Sequence, residues 1–191
     1  AAFATEAGAV YGGLIFAEKS PRLVTKTQAL AITNSNAQLN YVGVFVNHKI
    51  MDIVELVTSL NLFAVQLHGQ EDSEYVARLK AKLPVTVNIW KAASVDKHVP
   101  SLDLDVNHYV LDGKQAGSGQ VFRWQHLNTT AQTLNNCFLA GGLSAENIDE
   151  AINVLNLQEL FGLDINSGVE SSPGEKSSAK INDVFAQIRN Y

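Results

Sequence analysis

Residues 137–170 read CFLAGGLSAENIDEAINVLNLQELFGLDINSGVE, and the order of features in this stretch decides the fold. An apolar run, Cys137–Ala140, gives way to Gly141-Gly142. A stretch with helical period follows, in which Ile148, Ala151, Ile152 and Leu155 share one face at i, i+3, i+4 and i+7. Ser144 stands where an N-cap belongs, and Glu146 sits in the first turn, where the helix dipole favours an acid. A second apolar run, Gly162–Ile165, then ends in Asn166-Ser167-Gly168. Strand, glycine turn, helix, strand and glycine turn make one βα unit and the start of the next.

The pattern repeats toward the N-terminus. Further apolar runs lie at Val10–Phe16, Tyr41–Val46, Ala64–Leu67, Thr86–Ala92 and Tyr109–Leu111. They are rich in Val, Ile, Leu and Phe without clean alternation, as parallel strands buried on both faces require. Ile50, Ile53, Val54 and Val57 carry the helical period between two of them, and Ile181, Val184, Phe185 and Ile188 carry it at the C-terminus. The segment Gly113–Asn136 is weaker and predicts only a short helix.

Seven units are visible. The chain opens with Ala1–Gly8, which reads as a helix closed by a glycine C-cap. A helix with no strand before it is half a unit, so the expectation is a (β/α)₈ barrel whose first strand is absent from this chain. An open doubly wound sheet tolerates such a start as well, and periodicity alone leaves both arrangements open.

The bulk composition narrows the function classes. With 46% hydrophobic and 17% charged residues, the 191-residue chain predicts a folded globular domain, read as one domain over 1–191. A formal net charge of −5 argues against a general nucleic-acid binder. No apolar run approaches a membrane span, and Ala1–Ala9 lacks the basic start and apolar core of a signal peptide. The one cysteine, Cys137, permits no intrachain disulfide, and a reducing, cytoplasmic setting is expected.

Ligands of parallel βα folds are met at the carboxyl ends of the strands. Those ends are polar or glycine-rich here: Ser20-Pro21-Arg22, Asn47-His48, Gln66-Leu67-His68-Gly69, Lys91, Asp112, Gly141-Gly142 and Asp164–Gly168. Gly141, Gly142, Ser167 and Gly168 form a candidate phosphate site, because glycines let backbone N–H groups approach an anion. The same glycines also suit plain tight turns. Asp112 is placed to act as a general acid or to cap a loop. Arg22 is placed to pair bidentately with a carboxylate or to lie solvated on the surface. His68 is a candidate substrate contact or a satisfied polar residue. Cys137, at the start of an interior strand, reads as a buried thiol, and no ligand cluster predicts a metal site.

Taken in order, several motifs match a known family. They are Tyr11-Gly12-Gly13-Leu14-Ile15-Phe16, Ser20-Pro21-Arg22, Val42-Gly43-Val44-Phe45 and Val65-Gln66-Leu67-His68-Gly69. Leu111-Asp112, Gly117-Ser118-Gly119, Leu139–Leu143, Asp164–Glu170 and Pro173-Gly174 follow. From about Gly8 to the C-terminus the chain resembles phosphoribosylanthranilate isomerase, and most of all the bacterial form fused behind indole-3-glycerol-phosphate synthase. The resemblance implies an isomerase of tryptophan biosynthesis acting on a small phosphorylated substrate with neither metal nor organic cofactor. It implies Asp112 as general acid, Arg22 on the anthranilate carboxylate, the two glycine loops on the phosphate, and His68 and Asp164 near the substrate. It also implies a general-base cysteine in a Lys-x-Cys-Gly motif, which this sequence does not contain. Ser177 departs as well, standing where the family usually has aspartate. The expectation is an active parent isomerase and an impaired 191-residue chain. The competing readings are another phosphate-binding barrel of the pathway, such as indole-3-glycerol-phosphate synthase, and a truncated barrel that binds without turnover.

Overall fold

In the computed structural model, residues 1–113, 124, 127, 130–154 and 160–189 are described. Their contacts divide into two compact units: Ala1–Lys91 with Leu104–Asn107, and Ala92–Asp103 with His108–Tyr191.

The first unit opens with α1 (Ala2–Ala7), which stops at Gly8 with φ of 107° and the Gly8 N–H turned back to the Ala4 and Thr5 carbonyls. Only glycine holds that left-handed backbone without strain. There follow β1 (Tyr11–Ile15), α2 (Lys26–Ser35), β2 (Asn40–Phe45), α3 (Ile50–Leu60), β3 (Ala64–Leu67), α4 (Ser73–Lys80) and the start of β4 (Asn88–Val95), which belongs to this unit as far as Lys91. Helix α2 starts at a reciprocal capping box, in which Thr25 and Gln28 satisfy each other's backbone N–H groups. Asp72 caps α4 by accepting from the Tyr75 N–H at 2.8 Å.

Strands β1, β2, β3 and β4 pair in parallel and in chain order, with Gly43 between Leu14 and Val65, and Gln66 opposite Trp90. Every residue of β3 is buried, in agreement with a parallel strand covered on both faces. The helical face read from the sequence is the packed one: Ile50, Ile53, Val57 and Leu60 of α3 are buried with Phe45, Val65, Leu67, Val76 and Leu79. Strand β4 begins two residues later than the apolar run because Val87 donates back to the Pro84 carbonyl, closing a turn first.

The second unit holds β5 (His108–Gly113), β6 (Cys137–Leu139), α5 (Ile148–Val154), β7 (Gly162–Leu163), β8 (Glu170–Ser172), β9 (Glu175–Lys176) and α6 (Ser178–Ile188). Strands β5, β6 and β7 are parallel neighbours in that order. Helix α5 begins at Ile148, and Ser144–Asn147 form a turn ahead of it, with Ile148 donating to the Ser144 carbonyl at 3.0 Å as the first helical bond onto an N-cap does. Asn147 reaches back to brace this turn, accepting from the Ser144 N–H at 2.9 Å, as the N3 side chain of a capping box does, and donating to the Gly142 carbonyl at 2.8 Å. Glu146 still sits where an acid is favoured, its carboxyl held below the usual range by a hydrogen bond from Ser144. The antiparallel β8–β9 hairpin was not foreseen; its turn is Pro173-Gly174, with Gly174 at φ of 90°. Gly117-Ser118-Gly119, most of the weak Gly113–Asn136 segment, and Leu155 lie outside the described residues.

Candidate active site

The predicted residues fall into both units, and each set is held by its own local chemistry. In the second unit, β5 and β7, on either side of β6, carry Asp112 and Asp164 to their carboxyl ends. Ala140 donates to the Leu111 carbonyl and Asp164 to the Leu139 carbonyl, both at 2.8 Å, so the strand ends are in step. Asp112 is buried, and its Oδ1 accepts from the Gly113 N–H at 2.7 Å. Burial first, and the charge of Asp112 second, push Asp164 up to about 6, against the opposing pull of Lys176. Two carboxyl groups that feel each other in this way favour retention of a proton at neutral-to-acid pH.

The two glycine loops are next to each other. Gly141 and Gly142 adopt φ of 87° and 75° in succession, a backbone that disfavours any side chain. Their N–H groups make no hydrogen bond to another described residue. Gly168 lies against the Leu143 carbonyl and 2.8 Å from Ser144 Cβ in the sense that an added Cβ would meet both. The loop after β7 is fixed from its far side by Lys176, whose Nζ reaches the Asn166 carbonyl at 2.7 Å and the buried Glu170 at 2.9 Å. Lys180 closes the same strap on the Glu170 carbonyl at 2.8 Å. Glu170, Lys176 and Lys180 were not singled out in the sequence beyond their motif.

In the first unit, Arg22 is half-buried on the loop after β1. That loop folds back on the strand: Val24 donates to the Ile15 carbonyl at 2.9 Å, and the Arg22 N–H bonds Ser20 Oγ at 3.1 Å. His68 leaves the end of β3, its N–H on the Phe45 carbonyl at 2.8 Å and its ring 3.4 Å from Gln66 Nε2.

Two further residues are fixed by their surroundings. Lys91 is committed: its Nζ donates to the Gly69 carbonyl at 2.8 Å and to Glu71 at 3.1 Å, which leaves no free amine for lysine chemistry. Cys137 is fully buried at the start of β6, with burial pushing its thiol up to about 11, far from a general base at neutral pH. Among the described residues, no group of three or more His, Cys, Asp or Glu is placed to hold a metal ion. No helix among them is long and apolar enough to cross a membrane.

Acidic side chains and adjoining glycine turns at the carboxyl ends of parallel strands mark a βα-repeat protein of the α/β class. The chain belongs to the N-(5'phosphoribosyl)anthranilate (PRA) isomerase family, which matches residues 1–187. It is 50% identical over 196 residues to the tryptophan biosynthesis protein TrpCF of Vibrio parahaemolyticus, covering 100% of this chain and 39% of that protein. The chain therefore spans about two fifths of the length of such relatives. Among solved structures it is similar to the phosphoribosyl anthranilate isomerase of Thermus thermophilus, with a TM-score of 0.85 and 28% identity over 99% of this chain and 92% of that one. A phosphoribosyl anthranilate isomerase in complex with reduced 1-(o-carboxyphenylamino)-1-deoxyribulose 5-phosphate aligns with a TM-score of 0.81 and 26% identity over 100% of this chain and 92% of that one.

Proposed function

We propose that the longer protein of which this chain is the isomerase segment performs its family's reaction, the Amadori rearrangement of N-(5′-phosphoribosyl)anthranilate in tryptophan biosynthesis. The observation that carries this reading is the second unit's cluster: two interacting carboxyl groups, Asp112 and Asp164, beside abutting glycine loops. Asp112 is the general acid. It protonates the ribose ring oxygen, the C1′–O bond breaks with its electron pair going to that oxygen, and the lone pair of the anthranilate nitrogen moves in to form the C1′=N Schiff base. A base then takes the C2′ proton, and the resulting enolamine tautomerises to 1-(o-carboxyphenylamino)-1-deoxyribulose 5-phosphate.

The backbone N–H groups of Gly141, Gly142 and the Ser167-Gly168 turn bind the phosphate, as anions are bound at such nests. Arg22 pairs with the anthranilate carboxylate, and its planar fork suits that group. His68 and Asp164 contact the substrate. The reaction needs neither metal nor organic cofactor. In the longer protein the isomerase segment is joined to indole-3-glycerol-phosphate synthase, and the whole works in the cytoplasm.

Loss of substrate fluorescence on adding the full-length protein to phosphoribosylanthranilate tests the reading. Turnover that disappears in Asp112→Asn and survives chelator supports it. Turnover unchanged by Asp112→Asn would overturn the assignment.

A further inference from the structure

Outside the residues given roles above, the first unit contains a charged pair that is almost completely buried. The side chain of Glu71 is 1% exposed and that of Lys91 10%. Taking two charges out of water is costly, and apolar residues of similar size commonly serve stability as well. The partners of this pair show what it holds.

Glu71 Oε1 accepts from the Asn47 N–H at 2.7 Å, and Oε2 accepts from the Gly69 N–H at 2.9 Å and from Lys91 at 3.1 Å. Lys91 Nζ donates also to the Gly69 carbonyl at 2.8 Å and lies 3.4 Å from the Leu67 carbonyl. Asn47, at φ of 51°, returns a bond through Oδ1 from the Gln70 N–H at 2.8 Å. Tyr75 adds a bond from its hydroxyl to the His48 carbonyl at 2.7 Å. The carboxyl ends of β2 and β3 are thus tied to the middle of β4 by one carboxylate and one ammonium. A Cβ on Gly69 would collide with the Asn47 amide and come within 2.8 Å of Glu71 Oε1, so the knot has no slack.

His68 sits at the centre of this knot. The carbonyl before it and both peptide groups of the glycine after it are the ones that Lys91 and Glu71 hold. We propose that Glu71 and Lys91 are positioning residues, a buried clasp that fixes the imidazole of His68 for substrate binding. This rests on the reading of His68 as a substrate contact. The clasp acts through the backbone on either side of His68, and a displacement of about 1 Å at a binding group is enough to cost up to roughly 10²-fold.

Glu71→Gln replaces one acceptor oxygen by an amide that donates, facing the Gly69 N–H and the Lys91 ammonium. In the full-length protein, kcat/KM is expected to fall about 10- to 100-fold, chiefly through KM, and the NMR resonance of the His68 ring is expected to shift. Leu79→Ala is the control: it removes buried core without touching the clasp, so it lowers Tm and leaves KM and the ring resonance in place. Where Glu71→Gln does not fold, Glu71→Leu/Lys91→Leu fills the space with apolar bulk and must displace the ring resonance and raise KM in the same way. His68→Ala separates the two readings. A neutral His68→Ala overturns the substrate role of His68 on which the clasp depends. A costly His68→Ala together with an unmoved ring resonance and KM in the clasp variants overturns the clasp alone.

Discussion

Gly168 packs against the carbonyl of Leu143, joining the loop after β7 to the turn that leads into α5. The contact explains why the position carries no side chain: a Cβ would drive into backbone, which cannot rotate away. Gly168→Ala is expected to cost about 1–3 kcal/mol, the usual range for overpacking, and to weaken binding of a product analogue by separating the two loops. Gly13→Ala is the comparison, since a Cβ there meets nothing within 4 Å. Thermal unfolding and analogue titration of both variants check this, and equal behaviour of the two would count against the packing argument.

Asp112 is expected to matter for chemistry far more than for folding. Asp112→Asn retains an oxygen that can accept from the Gly113 N–H, so the end of β5 keeps its geometry. It removes the proton donor, and the loss of a positioned acid lowers kcat by about 10²–10⁴. Steady-state kinetics with thermal unfolding alongside separates the two effects. A variant that unfolds early but turns over normally when folded would sink the role.

Much of the fold could be read from the order of residues, because parallel buried strands and amphipathic helices leave periodic signals. The face of α3 that packs is the one its spacing marks, from Ile50 to Leu60. The placement of Asp112, Asp164 and the glycine turns at strand ends was legible because the apolar runs before them mark where each strand stops. Glu71 was not. In Gln70-Glu71-Asp72 it looks like part of a solvated turn, and its partners lie 20 and 24 positions away, at Lys91 and Asn47. Pairings across that separation are made by the sheet register and have no local pattern.

Arg22 should govern affinity more than rate. Its loop is anchored by backbone bonds at Ser20 and Val24, so the guanidinium can be changed without loosening β1. Arg22→Lys keeps the charge and loses the planar fork that matches a carboxylate. KM is expected to rise about tenfold, one charge-assisted bond's worth, with kcat changed less. A substrate analogue lacking the anthranilate carboxylate should bind wild type and Arg22→Lys alike. Were the analogue to keep the difference, Arg22 would be acting elsewhere.

Asp164 ties stability to pH in a direction opposite to that of most carboxylates. Its folded-state pKa is about 6 against an ordinary 3.8, so the folded chain keeps the proton that the unfolded chain has released. The stabilising contribution is therefore complete below the unfolded value and is lost as pH rises through the folded one. For a shift of this size the loss is up to roughly 3 kcal/mol. Denaturant unfolding across that window should show wild type losing stability relative to Asp164→Asn, with the gap widest above the folded pKa. Lys176 opposes the shift, so Lys176→Met should carry the window to still higher pH. Parallel pH profiles for wild type and Asp164→Asn would show that Asp164 ionises as it does in the unfolded chain, and the electrostatic coupling to Asp112 would then have to be abandoned.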